Sequence, residues 1–175
     1  NVRDRAQAEQ DLASYSSDLA LVFEPVHMVE FEVLCAVPQA VHAVFRHDHP
    51  LASKSILRLR DCLNHKVVVP TAPYGVRHLL ELGATRSGRP LTPSIETESF
   101  DLIRHYVTHE DAVGFQIPIG LKTSEQDTIA HRPISERDIP FGRLLLGQMK
   151  GRTLPVASSK FGQQLVAALS RNMQT

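Results

Sequence analysis

Several things are missing from this chain, and each absence excludes a class of protein. It has no net charge, because 19 Lys+Arg balance 19 Asp+Glu among its 175 residues. A domain that holds nucleic acid through its phosphates carries a basic excess, so this chain is not expected to grip DNA by itself. Two cysteines are too few for a disulfide framework, and a reducing, cytoplasmic home is the default. No apolar run approaches a membrane span, and no charged-then-apolar leader opens the chain; no membrane partner is expected. Asn1 stands first in place of a methionine, which points to a piece of a longer protein. Internal repeats and low-complexity tracts are also absent.

What is present is the composition of a folded domain. Hydrophobic residues make up 42% and charged residues 22%, and the length suffices for one ordinary domain or two small lobes. Asp18–Phe23, Ala40–Phe45, Val67–Val69, Gly114–Ile119 and Leu144–Leu146 read as short strands covered on both faces. Asp4–Tyr15 reads as a helix. So do the stripe Val76, Leu79, Leu80 closed by Gly83, the stripe Phe100, Ile103, Val107 capped by Ser99, and the stripe Phe161, Leu165, Leu169 behind Ser158 and Ser159. Segments 45–50, 85–93 and 121–127 read as loops. Strands alternating with helices predict an α/β fold with mainly parallel pairing.

In an open α/β sheet, ligands bind beyond the carboxyl ends of the strands. Four such ends are legible: Glu24-Pro25, Pro70 to Pro73, Glu98-Ser99, and Gln116 to Pro118. The second and third lead into helix N-termini, which offer unpaired N–H donors and partial positive charge. A carboxylate or other anion is therefore the natural ligand group. The candidate contacts are Thr71, Tyr74, Ser99, Phe115, Pro118, Glu24 and Pro25. Alternatives stand beside several of them. Ser99 equally suits a helix cap, and Phe115 suits the core better than a ligand contact, because strand phenylalanines are more often buried. Arg77 either clasps a ligand carboxylate or lies solvated on its helix. Glu24 argues against a highly anionic ligand or favours an amine-bearing one.

Enzyme-like patterns are weak. Glu96 and Glu98 share a strand face, but nothing nearby raises a carboxyl pKa. His105-X-X-X-His109 has a metal-like spacing with Glu110 alongside, yet one helix supplies too few ligands. His49 sits in a turn and reads as structural. Neither a metal nor a cofactor is expected. Cys35 lies in an apolar run and Cys62 beside Leu63; both read as buried, inert thiols rather than a redox switch. No phosphate-binding glycine loop, Gly-X-Ser-X-Gly elbow or Ser/His/Asp arrangement stands out, so no enzyme is expected.

Four signatures stand in order along the chain. Asp18-Leu19-Ala20-Leu21 leads to Glu24-Pro25. Val44-Phe45-Arg46-His47-Asp48-His49-Pro50-Leu51-Ala52 follows. Leu57-Arg58-Leu59-Arg60-Asp61-Cys62-Leu63 then runs into Val67–Val69. Later, Val107 precedes Ala112-Val113-Gly114-Phe115-Gln116-Ile117-Pro118. Over essentially the whole chain this resembles the effector-binding domain of LysR-type transcriptional regulators. The His-Pro-Leu-Ala element and the leucine-bearing Asp-X-Leu segment after it are its most specific part.

The resemblance implies two Rossmann-like lobes similar to those of type-2 periplasmic binding proteins, joined by two crossover strands. It places the crossings near Phe45-Arg46 and Leu145-Leu146, with residues 1–45 and 146–175 as lobe I and 46–145 as lobe II. It further implies a small-molecule inducer in the inter-lobe cleft, with Thr71 on an effector-contacting loop. The expected assembly is a homodimer within a tetramer. Promoter DNA is a partner only through a winged helix-turn-helix domain that precedes this one. Against the family pattern, lobe I lacks its first strand and helix, and His109-Glu110-Asp111-Ala112 replaces a glycine-rich turn. A transporter's solute-binding protein with the same fold is the main rival reading, followed by an enzyme on a related scaffold.

Overall fold

The structure, a computed structural model, describes residues 5–24, 26–28, 30–72, 74–119, 121 and 128–171. In chain order the elements are α1 (Arg5–Ala13), β1 (Ala20–Phe23), β2 (Phe31–Gln39), β3 (His42–Arg46), a 3-10 turn (Pro50–Ser53), α2 (Leu59–Cys62), β4 (Lys66–Pro70), α3 (Gly75–Arg86), β5 (Ile95–Thr97), α4 (Phe100–His109), β6 (Ala112–Gln116), β7 (Ile129–Pro133), β8 (Gly142–Met149) and α5 (Val156–Arg171). They form two compact units, one of residues 1–38 and 143–175 and one of residues 39–142. The units thus change at Pro38/Gln39 and Gly142/Arg143, somewhat earlier than the crossings expected from sequence. The reason is pairing: β3 bonds to β6 and β7, which places Ala43–Phe45 in the second unit.

The first unit holds a three-stranded sheet in the order β1-β8-β2. β1 runs antiparallel to β8, from Ala20 opposite Gly147 to Phe23 opposite Leu144. A Cβ at Gly147 would stand 2.3 Å from the Phe31 ring, so glycine lets that ring cover the central strand. Arg152 and Ser158 both bond the Asp18 carboxylate, tying the start of α5 to the approach of β1. Ser158 and Ser159 lie inside α5 rather than ahead of it.

The second unit holds five strands in the order β5-β4-β6-β3-β7. β4 is parallel to β5 and β6, while β3 is antiparallel to β6 and β7. The sheet is therefore mixed, not mainly parallel. Crossover helices α3 and α4 connect only β4, β5 and β6, and parallel pairing needs such crossovers. Val67, Val68, Val69, Val113 and Phe115 are almost wholly buried, as expected for strands covered on both faces. α4 lies close over the sheet because β6 carries Gly114 at the contact: a Cβ there would stand 2.4 Å from Ile103 Cγ2.

Gly83 does not stop α3. It sits inside the helix, where a Cβ would come within 2.9 Å of Leu59 and 2.8 Å of Ile139. The helix runs on to Arg86, and Gly88 takes the left-handed conformation after it, at φ +67°. α2 is capped from afar: Asp138 accepts the Leu59 amide and two bonds from Arg58. The run expected as a strand over Gly114–Ile119 pairs instead over Ala112–Gln116. β2 and β7 were not legible as strands. Of the segment expected as a loop over 121–127, residues 122–127 lie outside the described residues.

Candidate functional site

The connections fix where a ligand site can form in the second unit. From β4 the chain crosses through α3 to β5 on one side. From β5 it crosses back through α4 to β6 on the other. β4 and β6 are therefore the neighbours between which the winding reverses, and the crevice beyond their carboxyl ends is the binding position in doubly wound sheets. Thr71 follows β4 directly, and Gln116 ends β6. Both carry a buried side-chain oxygen without a hydrogen-bond partner among the described residues, Thr71 Oγ1 and Gln116 Oε1. Such atoms are rare and costly in folded proteins.

Two helices open at the same edge. Ser99 caps α4, its Oγ accepting from the Leu102 amide at 3.1 Å. Its own amide donates to Thr97 Oγ1 at 3.1 Å. Of the two readings of Ser99, the cap is the one seen. α3 differs: Tyr74, at its N-cap position, makes no side-chain cap bond. Its N-terminus stands beside Thr71 with the donor character and partial positive charge that attract anions. The Tyr74 ring meets Phe100 edge to face at 5.6 Å, and its hydroxyl donates to the Glu98 carbonyl at 3.4 Å. Thr71, Tyr74 and Ser99 thus share one edge, joined by the bond from the Thr71 amide to the Thr97 carbonyl at 3.2 Å.

Other candidates fall elsewhere. Phe115 is wholly buried, a core residue of β6. Pro118 lies in the turn after β6, where its carbonyl accepts from the Leu121 amide. Glu24 belongs to the first unit and is held by Arg143 through Nε at 2.8 Å. Pro25 lies outside the described residues. Arg77 follows neither expectation. Its side chain, 11% exposed, bonds Glu81 at 2.7 Å and Glu96 at 3.0 Å, tying α3 to β5. Sequence reasoning missed this clasp and the Gln116 side chain. Glu81 was findable from its i, i+4 spacing to Arg77; Glu96 was not.

The thiols separate. Both are free, but Cys35 is only partly buried where full burial was expected. Burial pushes the Cys62 thiol up to about 12, which makes it a poor nucleophile. Among the described residues no helix is long and apolar enough to cross a membrane.

Comparison with known proteins agrees with this architecture. The LysR substrate binding domain family matches residues 1–170. Among solved structures, the effector binding domain of QuiR in complex with shikimate superposes with a TM-score of 0.77 at 17% identity, covering 97% of this chain and 79% of that one. The regulatory domain of Synechocystis PCC6803 CcmR in complex with 2-PG gives 0.77 at 19% identity, covering 97% and 81%. The reduced OxyR regulatory domain from Pseudomonas aeruginosa gives 0.72 at 15% identity, covering 94% and 80%. No curated protein matches at a significant level. With the family model matching residues 1–170 of this chain, the chain belongs to the LysR substrate-binding domain family, the effector-sensing part of LysR-type transcriptional regulators.

Proposed function

We propose that this domain senses a small organic anion, a carboxylate being the natural choice, and that the carboxyl edge of the β4–β6 pair supplies one wall of the site. The observation that carries this reading is the buried Thr71 Oγ1, without a hydrogen-bond partner among the described residues, beside the N-terminus of α3. An anion there gains backbone N–H donors and a hydroxyl already stripped of water. Gln116 adds a second buried acceptor or donor at the switch point. Ser99 serves as the cap that keeps α4 in place, and Tyr74 as an amphipathic wall. The relatives solved with shikimate and with 2-PG support an acidic metabolite as the ligand class.

The domain performs no chemistry in this reading. The ligand favours one of two arrangements in proportion to its differential affinity for them. That bias passes to promoter DNA through a winged helix-turn-helix domain, within a cytoplasmic homodimer or tetramer. The family assignment favours this over a transporter's solute-binding protein.

Thermal unfolding against a panel of organic acids, shikimate and 2-PG included, tests it. At 100 times its dissociation constant a ligand adds about 2.7 kcal/mol, which raises the midpoint by roughly 5–10 °C in a chain of this length. Thr71→Val keeps the shape and removes the hydroxyl. It should weaken the active acid by about 10- to 100-fold, the loss of one bond to a charged group. An acid that binds Thr71→Val as tightly as the parent refutes the assignment.

A further inference from the structure

We propose that His49, His65 and Asp111 form a binding site for a divalent cation of the zinc class, at the end of the second unit's sheet opposite Thr71. His49 follows β3, His65 directly precedes β4, and Asp111 directly precedes β6. Because β3 runs antiparallel to β6, and β6 parallel to β4, the end of one strand meets the beginnings of the other two. One ligand atom from each residue lies within 4.8 Å of the others.

The geometry is partly set. His49 Nε2 stands 3.4 Å from Asp111 Oδ1, close to the ~3.4 Å between ligand atoms of a tetrahedral ion with bonds near 2.1 Å. The His65 ring meets the His49 ring edge to face at 4.5 Å, so a change in its side-chain torsions completes a three-ligand set. His49 is only 3% exposed, yet its Nε2 has no hydrogen-bond partner among the described residues. Exposed Asp111 leaves one side open for entry of the ion and for water as a fourth ligand. Two imidazoles and a carboxylate suit a borderline cation better than a hard one. Lys66 pairs with Glu110, and Arg46 pairs with Asp48 while also lying within electrostatic reach of Asp111 and His49.

Binding has one cost, and it supplies a signature. The Leu51 amide donates to His49 Nδ1 at 3.2 Å, capping the 3-10 turn. In the metal-free protein the His49 proton therefore sits on Nε2. A metal on Nε2 moves that proton to Nδ1 and leaves the Leu51 amide without its acceptor. Loss of such a cap weakens binding by roughly 2- to 30-fold, small beside the range of affinity that zinc sites span. The rest of the turn keeps its bonds, from Ala52 N to His49 O and from Ser53 Oγ to Pro50 O.

The test is Zn²⁺ alone, titrated into the purified, untagged chain by calorimetry, thermal unfolding and amide NMR. One equivalent should bind, and a hundredfold excess over the dissociation constant should raise the midpoint by roughly 5–10 °C. The Leu51 amide resonance should move as the metal binds. His65→Ala and Asp111→Asn should each weaken zinc at least about tenfold while the metal-free midpoint stays near that of the parent. His49→Ala is less decisive, because it also removes the cap. No binding at millimolar zinc overturns the proposal. So does binding that survives both variants, or binding lost only with His105→Gln, which would place the ion on the exposed His105–His109 pair of α4.

Discussion

Replacing Asp138 by alanine removes one side chain that serves two elements. The carboxylate is 8% exposed. It accepts from Arg58 Nε at 2.8 Å and Arg58 Nη2 at 2.6 Å, and from the Leu59 amide at 2.8 Å. Arg58 occupies the N-cap position of α2 without capping it, so Asp138 is the capping acceptor. Loss of a cap costs about 0.5–2 kcal/mol. Leu59 is wholly buried, so water does not replace the lost acceptor, and the cost falls at the upper end, about 2 kcal/mol. For a chain of this length that is a drop of roughly 4–8 °C in midpoint.

Arg58→Ala should do less, because its guanidinium is 42% exposed and the Leu59 cap survives. The bond from Arg58 holds the Asp138 carboxyl below the usual carboxylate range. Its stabilisation is therefore complete above the unfolded value of about 3.9 and is lost as pH falls through the lower folded value. Circular dichroism melts of the parent and Asp138→Ala from pH 7 to pH 3 should show a constant gap that narrows at the acid end. A midpoint within 2 °C of the parent refutes the reasoning (less than about 1 kcal/mol at this size). So does an Arg58→Ala loss as large as that of Asp138→Ala.

Three further expectations follow from the same structure. Gly114→Ala forces a methyl against Ile103 and should cost about 1–3 kcal/mol in urea unfolding. Cys62, with its thiol pushed up to about 12 by burial, should resist a thiol reagent at pH 8 until the chain unfolds, and labelling of the native protein at Cys62 contradicts this. Burial and neighbouring His131 lower His42 to about 4. It is therefore held neutral, and stability should be complete above about pH 6.5 and fall as pH drops toward 4. His42→Gln should flatten that part of the pH profile.

Burial decided which elements were legible in the sequence. β4 could be read because Val67–Val69 are apolar on both faces and buried there. α4 could be read because Ser99 and its apolar stripe agree, and both are realised. β7 is half-buried along its length and carries His131 and Arg132, so no apolar run marks it. β2 exposes Val33 and Leu34 beside Glu32, which blurs its alternation. Gly83 misled because a helix-ending glycine and a close-packed one look alike in sequence. The candidate edge was legible through the strand ends that carry Thr71 and Ser99. The Arg77–Glu96 clasp and the His49–His65–Asp111 group were not, because each joins residues from separate segments.

The close seating of α4 on Gly114 has a consequence for how this domain can change its ligand. The contact falls at Ile103, about one turn after Ser99. Whatever raises or tilts α4 there also moves its first turn, and with it the Thr97–Ser99 corner that hydrogen-bonds to Thr71. On the site proposed above, a methyl group buried at Gly114 would then misalign the edge that meets the ligand. Variants with altered ligand response would arise at core positions as well as at ligand contacts. On that reading, ligand preference would be tuned by the spacing between a helix and a strand as well as by the side chains that touch the ligand.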